Sequence, residues 1–227
     1  MSSKHEDFIR FNRKKWNEKN LAMYQGADKN RFPWNFKQLD PDYLKVIELM
    51  HASHPLRICD LGTRSGEQAI EMAKLGHDVT GIDVSEVALE MARKNLLEEE
   101  NVSVFFALDD ILDSRFGDES FDLITDRGCF HSMHAFIPDD RYIASVRRLL
   151  KPGGMFFVKG MSHDEKRFLS HDVLDGKEYV SSYRFKPNEL DEIFGTDLEF
   201  IDSWKSCFYS SVVSPPAVAE AALFRKK

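Results

Sequence analysis

The stretch Arg57-Ile58-Cys59-Asp60-Leu61-Gly62-Thr63-Arg64-Ser65-Gly66-Glu67-Gln68-Ala69-Ile70 decides the fold. Its first five residues form a short apolar run closed by a carboxylate. Gly62 and Gly66 then bound a turn, and Ala69, Ile70 and Ala73 recur at helical spacing until Gly76. The unit repeats in Asp78-Val79-Thr80-Gly81-Ile82-Asp83, where Ser85 is placed to cap a helix carrying Ala88, Met91, Ala92 and Leu96. Further strands are expected over 102–107, 121–125 and 155–159, with a helix over 138–150 between the last two. Short β-rich runs alternating with longer helices predict a parallel sheet covered on both faces. Two later β-rich runs, 198–204 and 221–224, add a closing pair after a helix near 187–194. The expected fold class is α/β, a doubly wound, mostly parallel seven-stranded sheet.

Ahead of this region Phe8, Phe11, Trp16, Tyr24, Phe32, Trp34 and Phe36 stand among charges, which reads as a short helix and an aromatic loop. Asp40-Pro41 starts a second helix carrying Tyr43, Leu44, Ile47 and Met50, and His54-Pro55 breaks it. Residues 1–55 are thus expected to be a helical cap segment, and 56–227 one structural unit.

In an open parallel sheet, ligands gather beyond the carboxyl ends of the strands, where the loops diverge and helix N-termini point inward. Here the first four strands end in Asp60, Asp83, the pair Asp109-Asp110 and Asp126, so that rim is acidic. A G-x-G-x-x-G dinucleotide fingerprint would need glycine where Arg64 and Glu67 stand, and no Lys-Ser or Lys-Thr pair follows to make a phosphate loop. A carboxylate rim suits a neutral or cationic ligand rich in donors. Asp83 can take both hydroxyls of a ribose, and Asp110 can accept from an exocyclic amine. An adenosine ending in a sulfonium, S-adenosylmethionine, accounts for both the carboxylates and the missing phosphate chemistry.

The stretches ICDLGTRSGEQAI, VTGIDVS, ALDDI, SFDLITDRGCFH and LLKPGGMFFV occur in that order, and over residues 56–160 the chain resembles the class I S-adenosylmethionine-dependent methyltransferases. The resemblance implies a Rossmann-like fold with S-adenosyl-L-methionine as cofactor and S-adenosyl-L-homocysteine as product. It puts the methionine part of the cofactor on Asp60, Gly62 and Gly66, the ribose on Asp83 beside Val84, and the adenine on Asp110 beside Ile111. Arg64 stands where that family usually has a second glycine, and is expected to point away from the cofactor or to pair with its carboxylate. A narrower set is similar to the thiopurine and thiol S-methyltransferase branch: Trp16, Tyr24, Pro33-Trp34-Asn35, Asp126-Arg127-Gly128 and Ile137-Pro138-Asp139-Asp140-Arg141. It implies that Trp16 and Trp34 cap the cofactor and that Arg127 lies near cofactor and acceptor. The activity so implied is methyl transfer to a heteroatom, sulfur first, of a small thiol or thiopurine-like molecule. The alternatives are an N- or O-methyltransferase of a metabolite or natural product, and a noncatalytic S-adenosylmethionine-binding protein.

Asp126, Arg127 and His131 are the catalytic candidates; Asp126 could also hold the cofactor amine, and His131 titrates in the range of a general base. The plain reading of a strand-end Asp is a turn former or helix cap. Cys129, His131 and His134 spell C-x-H-x-x-H, but no fourth ligand has fitting spacing, so no metal is expected. Lys plus Arg number 31 against 38 Asp plus Glu, a net −7, and neither sign gathers into a long run, which argues against a nucleic-acid partner. No apolar run reaches the roughly 20 residues of a bilayer span, so no membrane partner is expected either. Three widely spaced cysteines give no disulfide framework. The expectation is a cytoplasmic monomer or homodimer acting on a small-molecule methyl acceptor.

Overall fold

The computed structural model describes residues 4–24, 36–136, 139–168, 171–174, 177–180 and 182–227. Two helices come first, α1 (Lys4–Tyr24) and α2 (Pro41–Leu49). Then β1 (Arg57–Leu61), α3 (Glu67–Lys74), β2 (Asp78–Asp83), α4 (Glu86–Leu96) and β3 (Val104–Leu108) alternate. They are followed by β4 (Phe121–Arg127), α5 (Asp139–Leu149) and β5 (Leu150–Ser162). A separate hairpin, β6 (His171–Leu174) with β7 (Lys177–Val180), precedes β8 (Arg184–Phe185), α6 (Glu189–Phe194), β9 (Glu199–Phe208) and β10 (Ala217–Arg225).

The main sheet runs β3-β2-β1-β4-β5-β10-β9, parallel as far as β5 and antiparallel at β10 and β9. The two-residue β8 adds an eighth strand, pairing with β5 at Met161 and Ser162 beyond the end of β4. A strand of that length leaves no periodic trace in sequence. The α/β, mostly parallel Rossmann-like class is the observed one. The chain reverses around β1, with β2 on one side and β4 on the other, and this opens a crevice beyond the ends of β1, β2 and β4.

Both faces of the sheet are covered, and single strands supply both cores. On β5, Phe156 and Val158 pack with Tyr142, Phe194 and Phe224, whereas Met155 and Phe157 pack with Tyr43, Val46 and Leu223. That period of two within an all-apolar run is the mark of a strand buried on both sides. Ser85 caps α4 by accepting the Ala88 N–H, as its sequence position predicts. The predicted helix over 138–150 is observed as Asp139–Leu149, with Leu150 already in β5; residues 137 and 138 lie outside the described ones. The predicted short first helix is a 21-residue one, α1. Its buried face mixes Phe8 with Asn12, Lys15 and Asn20, so it lacks the apolar stripe by which a helix is recognised.

Gly66 holds the turn between β1 and α3. Its φ is +79°, and a Cβ there would sit 2.6 Å from Cζ of Phe106 and 2.9 Å from Cβ of Ala92. Left-handed strain and overpacking together predict that Gly66→Ala costs about 2–4 kcal/mol. A urea unfolding midpoint unchanged from the parent would contradict this.

Candidate functional site

Two connected spaces open beyond the strand ends. The first, a crevice of about 560 Å³, is lined by Asn12, Trp16 and Asn20 of α1 and by Asp83, Val84, Asp110 and Ile111 of the sheet rim. The second, about 1130 Å³, is lined by Tyr43, Asp60, Glu67, Gln68, Arg127 and His131, with Met161, Phe168 and Phe208 as its larger apolar walls. Leu61, Gly62 and Arg64 line both.

Register sets the acidic rim. Asp83 ends β2 opposite Leu108, so Asp109 and Asp110 follow immediately beside it. Asp83 Oδ2 accepts the Arg64 N–H at 3.0 Å and Oδ1 the Ser85 N–H at 2.9 Å. A carboxylate offers about four acceptor positions, so two are left to a ligand. Burial pushes the Asp83 carboxyl up, while these amide donors and the nearby Arg64 charge pull it back. In Asp110, Oδ1 accepts the Leu112 N–H at 3.1 Å, and buried Oδ2 has no hydrogen-bond partner among the described residues but is ion-paired with Arg13 Nε at 3.5 Å. Asn20 Oδ1 is likewise buried without a hydrogen bond among the described residues. Orphaned buried acceptors are costly, and a ligand that donates removes the cost. The crevice therefore fits an adenosyl group: acceptors at the rim, apolar Val84 and Ile111 beside them, and the indole of Trp16 on the helix side.

Asp60 lies in the second space, its Oδ1 accepting from Tyr43 Oη at 3.2 Å and Thr125 Oγ1 at 2.9 Å, with burial raising its carboxyl. Arg127 also lines that space. Its Nε donates to Asp40 Oδ2 at 3.0 Å and its Nη2 to the Tyr209 carbonyl at 2.6 Å, so the guanidinium is held from behind.

Several predicted residues sit differently from expectation. Arg64 does not leave the crevice: at φ +52° its side chain fills the seam between the two spaces, with Cζ 5.3 Å from the Trp16 ring. It is half-buried and faces the two spaces, so of the two expected placements the one that points away is not observed. Burial lowers its pKa. Gly66 lines neither space, and its packing against Phe106 and Ala92 explains the glycine. Asp126 is fully buried and turned into its own loop, accepting the Cys129 N–H at 2.7 Å, the Phe130 N–H at 2.8 Å and the Tyr142 hydroxyl. Both oxygens are engaged by protein donors, so it holds the loop instead of facing ligand. His131 accepts the Met161 N–H at Nδ1, 3.1 Å, which leaves the proton on Nε2. Burial, with Arg64, Arg184 and Arg127 nearby, pushes it down to about 3, so it is a neutral donor and a poor base. His134 pairs with Asp139 at 2.7 Å, away from His131. Trp34 lies outside the described residues.

Sequence reasoning missed Asn12, Asn20 and Gln68. Asn12, Trp16 and Asn20 fall four apart and so share one face of α1, a stripe that a search for apolar periodicity passes over.

Residues 58–154 match a family described as "Methyltransferase domain". The chain is 29% identical over 133 residues to EEF1A lysine methyltransferase 2 of Danio rerio, covering 56% of this chain and 57% of that protein. Over 142 residues it is 30% identical to a ubiquinone biosynthesis O-methyltransferase of Coxiella burnetii, covering 63% and 58%. The chain thus spans less than two thirds of the length of these curated relatives. Among solved structures it is similar to 1,6-didemethyltoxoflavin-N1-methyltransferase of Burkholderia thailandensis, with bound 1,6-didemethyltoxoflavin and S-adenosylhomocysteine. The TM-score is 0.69 at 19% identity, over 100% of this chain and 92% of that one. That degree of likeness speaks to fold. Residues 58–154 are thus similar to the methyltransferase-domain family, and this is the stretch whose strands β1, β2 and β4 open the crevice.

Proposed function

We propose that the protein transfers a methyl group from S-adenosylmethionine to a heteroatom of a small molecule held in the second space. The observation that carries this is the acidic crevice, where Asp110 Oδ2 is ion-paired with Arg13 but has no hydrogen bond among the described residues, opening through Leu61, Gly62 and Arg64 into a larger, partly apolar chamber. In this reading Asp83 takes the ribose hydroxyls, Asp110 the adenine amine, and Asp60 with the Gly62 turn the amino-acid end. Residues 1–55 act as a cap on the unit 56–227, and the setting is the cytoplasm. The donor, when bound, supplies an electrophilic methyl on a positively charged sulfur.

The chain's own residues then have three tasks: to align the acceptor, to exclude water and to steady its charge. Good alignment alone is worth about 7–11 kcal/mol, and a polarisable or ionised nucleophile needs little further help. Arg127 supplies a positive field and His131 an Nε2–H donor; with the His131 Nδ1 lone pair taken by the Met161 N–H and the Asp126 oxygens turned onto their own loop, neither candidate acts as a base. That favours an acceptor that ionises readily. Sulfur remains the first choice on this ground, with acidic oxygen or nitrogen as the second reading, because two of the relatives are named for O- and N1-methylation.

The test is melting temperature followed by turnover. S-adenosylhomocysteine at a hundredfold excess over Kd should stabilise by about 2.7 kcal/mol, and NAD should not. Labelled methyl should then pass to aryl thiols ahead of phenols and amines. Stabilisation by NAD alone would overturn the reading, and transfer only to phenols or amines would move the acceptor atom from sulfur to oxygen or nitrogen.

A further inference from the structure

Behind Arg127 lies a buried cluster of charges that the proposed roles leave unused. Lys159 follows the apolar run Met155-Phe156-Phe157-Val158 of β5 and is fully buried. Its Nζ lies 2.8 Å from both carboxylate oxygens of Asp40, 2.5 Å from Asp42 Oδ2 and 3.1 Å from the Cys207 carbonyl. Asp42 also accepts from Trp204 Nε1 at 2.7 Å and from the Ser206 hydroxyl. Although burial pushes the Asp42 carboxyl up, Lys159 and these donors hold it below its ordinary value. Register explains the juxtaposition, since Lys159 pairs directly with Arg127 across β4 and β5. Two cations and two carboxylates balance, as burial of charge requires.

Asp40 is where this cluster meets the site. It caps α2, accepting the Asp42 N–H at Oδ1, and its own N–H donates to Gln68 Oε1 at 2.8 Å. Gln68 Nε2 in turn donates to the carbonyls of Phe36 and Gln38, which binds residues 36–40 to the start of α3. Oδ2 of Asp40 takes Arg127 Nε. Arg127 carries five N–H donors, and its bonds to Asp40 and Tyr209 engage two of them from behind. The guanidinium is among the residues lining the second space, along with His131 and the apolar Met161, Phe168 and Phe208.

We infer that Asp40 is a positioning residue: with Lys159 it fixes the Arg127 guanidinium on the wall of the second space, where it receives the negative charge of a planar acceptor. This rests on the proposed methyltransferase reading. Asp40→Asn separates the two tasks of the residue. Asparagine caps a helix as well as aspartate does, but its amide presents a donor to Arg127 Nε where an acceptor stood. Because that substitution leaves one buried cation in excess, the charge-balanced pair Asp40→Asn with Lys159→Met serves as the second variant.

The probes are 4-nitrophenolate and its neutral methyl ether, 4-nitroanisole, titrated by absorbance into protein saturated with S-adenosylhomocysteine at a pH where the phenol is ionised. The parent should bind the anion more tightly than the ether. In both variants affinity for the anion should fall about tenfold, equivalent to roughly 1.4 kcal/mol, with affinities for the ether and for S-adenosylhomocysteine within twofold of the parent. A merely structural role would weaken anion and ether alike. Equal loss for both probes, an unchanged anion affinity in a folded variant, or no preference for the anion in the parent would each overturn the inference and leave the cofactor reading standing. Failure of the parent to bind S-adenosylhomocysteine would remove that reading, and the inference with it.

Discussion

Replacing Asp83 with alanine should weaken S-adenosylhomocysteine binding by a hundredfold or more, measured by calorimetry on folded protein. The carboxylate ends β2 at the edge of the first crevice and retains two acceptor positions after its bonds to the Arg64 and Ser85 amides. Hydrogen bonds to a charged group are worth about 1.5–3 kcal/mol each, so two ribose hydroxyls account for roughly 3 kcal/mol or more, a factor of over a hundred. The alanine variant also orphans the two amides, which loosens the turn carrying Arg64. Asp83→Asn controls for this because it restores one acceptor, and its loss should be nearer tenfold. Affinity within threefold of the parent for Asp83→Ala would mean that the ribose lies elsewhere, and would remove the main support for an adenosyl ligand in this crevice.

The reach of the sequence differs between backbone and side chains. Strands and turns followed from short-range features: apolar runs closed by Asp60 and Asp83, the Ser85 cap, and glycines where the chain turns. Each is a local preference agreeing with the global fold. Where two local signals competed, the boundary moved, as at Leu150, which is helical by pattern but already pairs with Phe121 in β4.

Side-chain direction was not legible in the same way. Asp60, Asp83 and Asp126 look alike in sequence, each a carboxylate at or near a strand end, yet Asp60 and Asp83 line the open spaces and Asp126 turns back onto the amides of its own loop. The path of the chain beyond each carboxylate makes the difference. After Asp126 the chain turns through Gly128 at φ +91° into a 3-10 turn, Phe130–Ser132, and the amides of Cys129 and Phe130 point back at the carboxylate. Asp40 and Lys159 were invisible for another reason, being 119 residues apart and joined only through tertiary packing. A lysine inside the run Phe156-Phe157-Val158-Lys159-Gly160 was nonetheless a usable signal, because a buried ammonium requires a partner. The direction of Arg64 is set by contacts that its sequence neighbours do not reveal: at φ +52° its amide is fixed by Asp83, which leaves the guanidinium against Trp16.

The second large effect concerns Asp126 and bears on stability. In Asp126→Ala the amides of Cys129 and Phe130 and the hydroxyl of Tyr142 all lose their acceptor in a region closed to solvent. Each buried orphan costs about 1–3 kcal/mol, so a total of about 4 kcal/mol is expected after the loop relaxes. For a chain of this size that lowers Tm by about 8–16 °C. Methyl transfer per folded molecule should stay within a few-fold, because the carboxylate faces its own loop and lines neither space. The pH dependence has a definite sign. Burial, opposed by Tyr142 and the loop amides, raises this carboxyl from its ordinary 3.8 to about 6. The folded chain therefore takes up a proton before the unfolded one, so this group's contribution to stability grows as pH falls from about 6 to about 4 and is lost again as pH rises. Urea unfolding at pH 5 and pH 7 should show that trend in the parent and a flatter one in Asp126→Asn, where nothing titrates at this position. A variant that melts like the parent but has lost more than a hundredfold in turnover would reverse the assignment, making Asp126 a group that meets the reacting molecules and the loop contacts incidental.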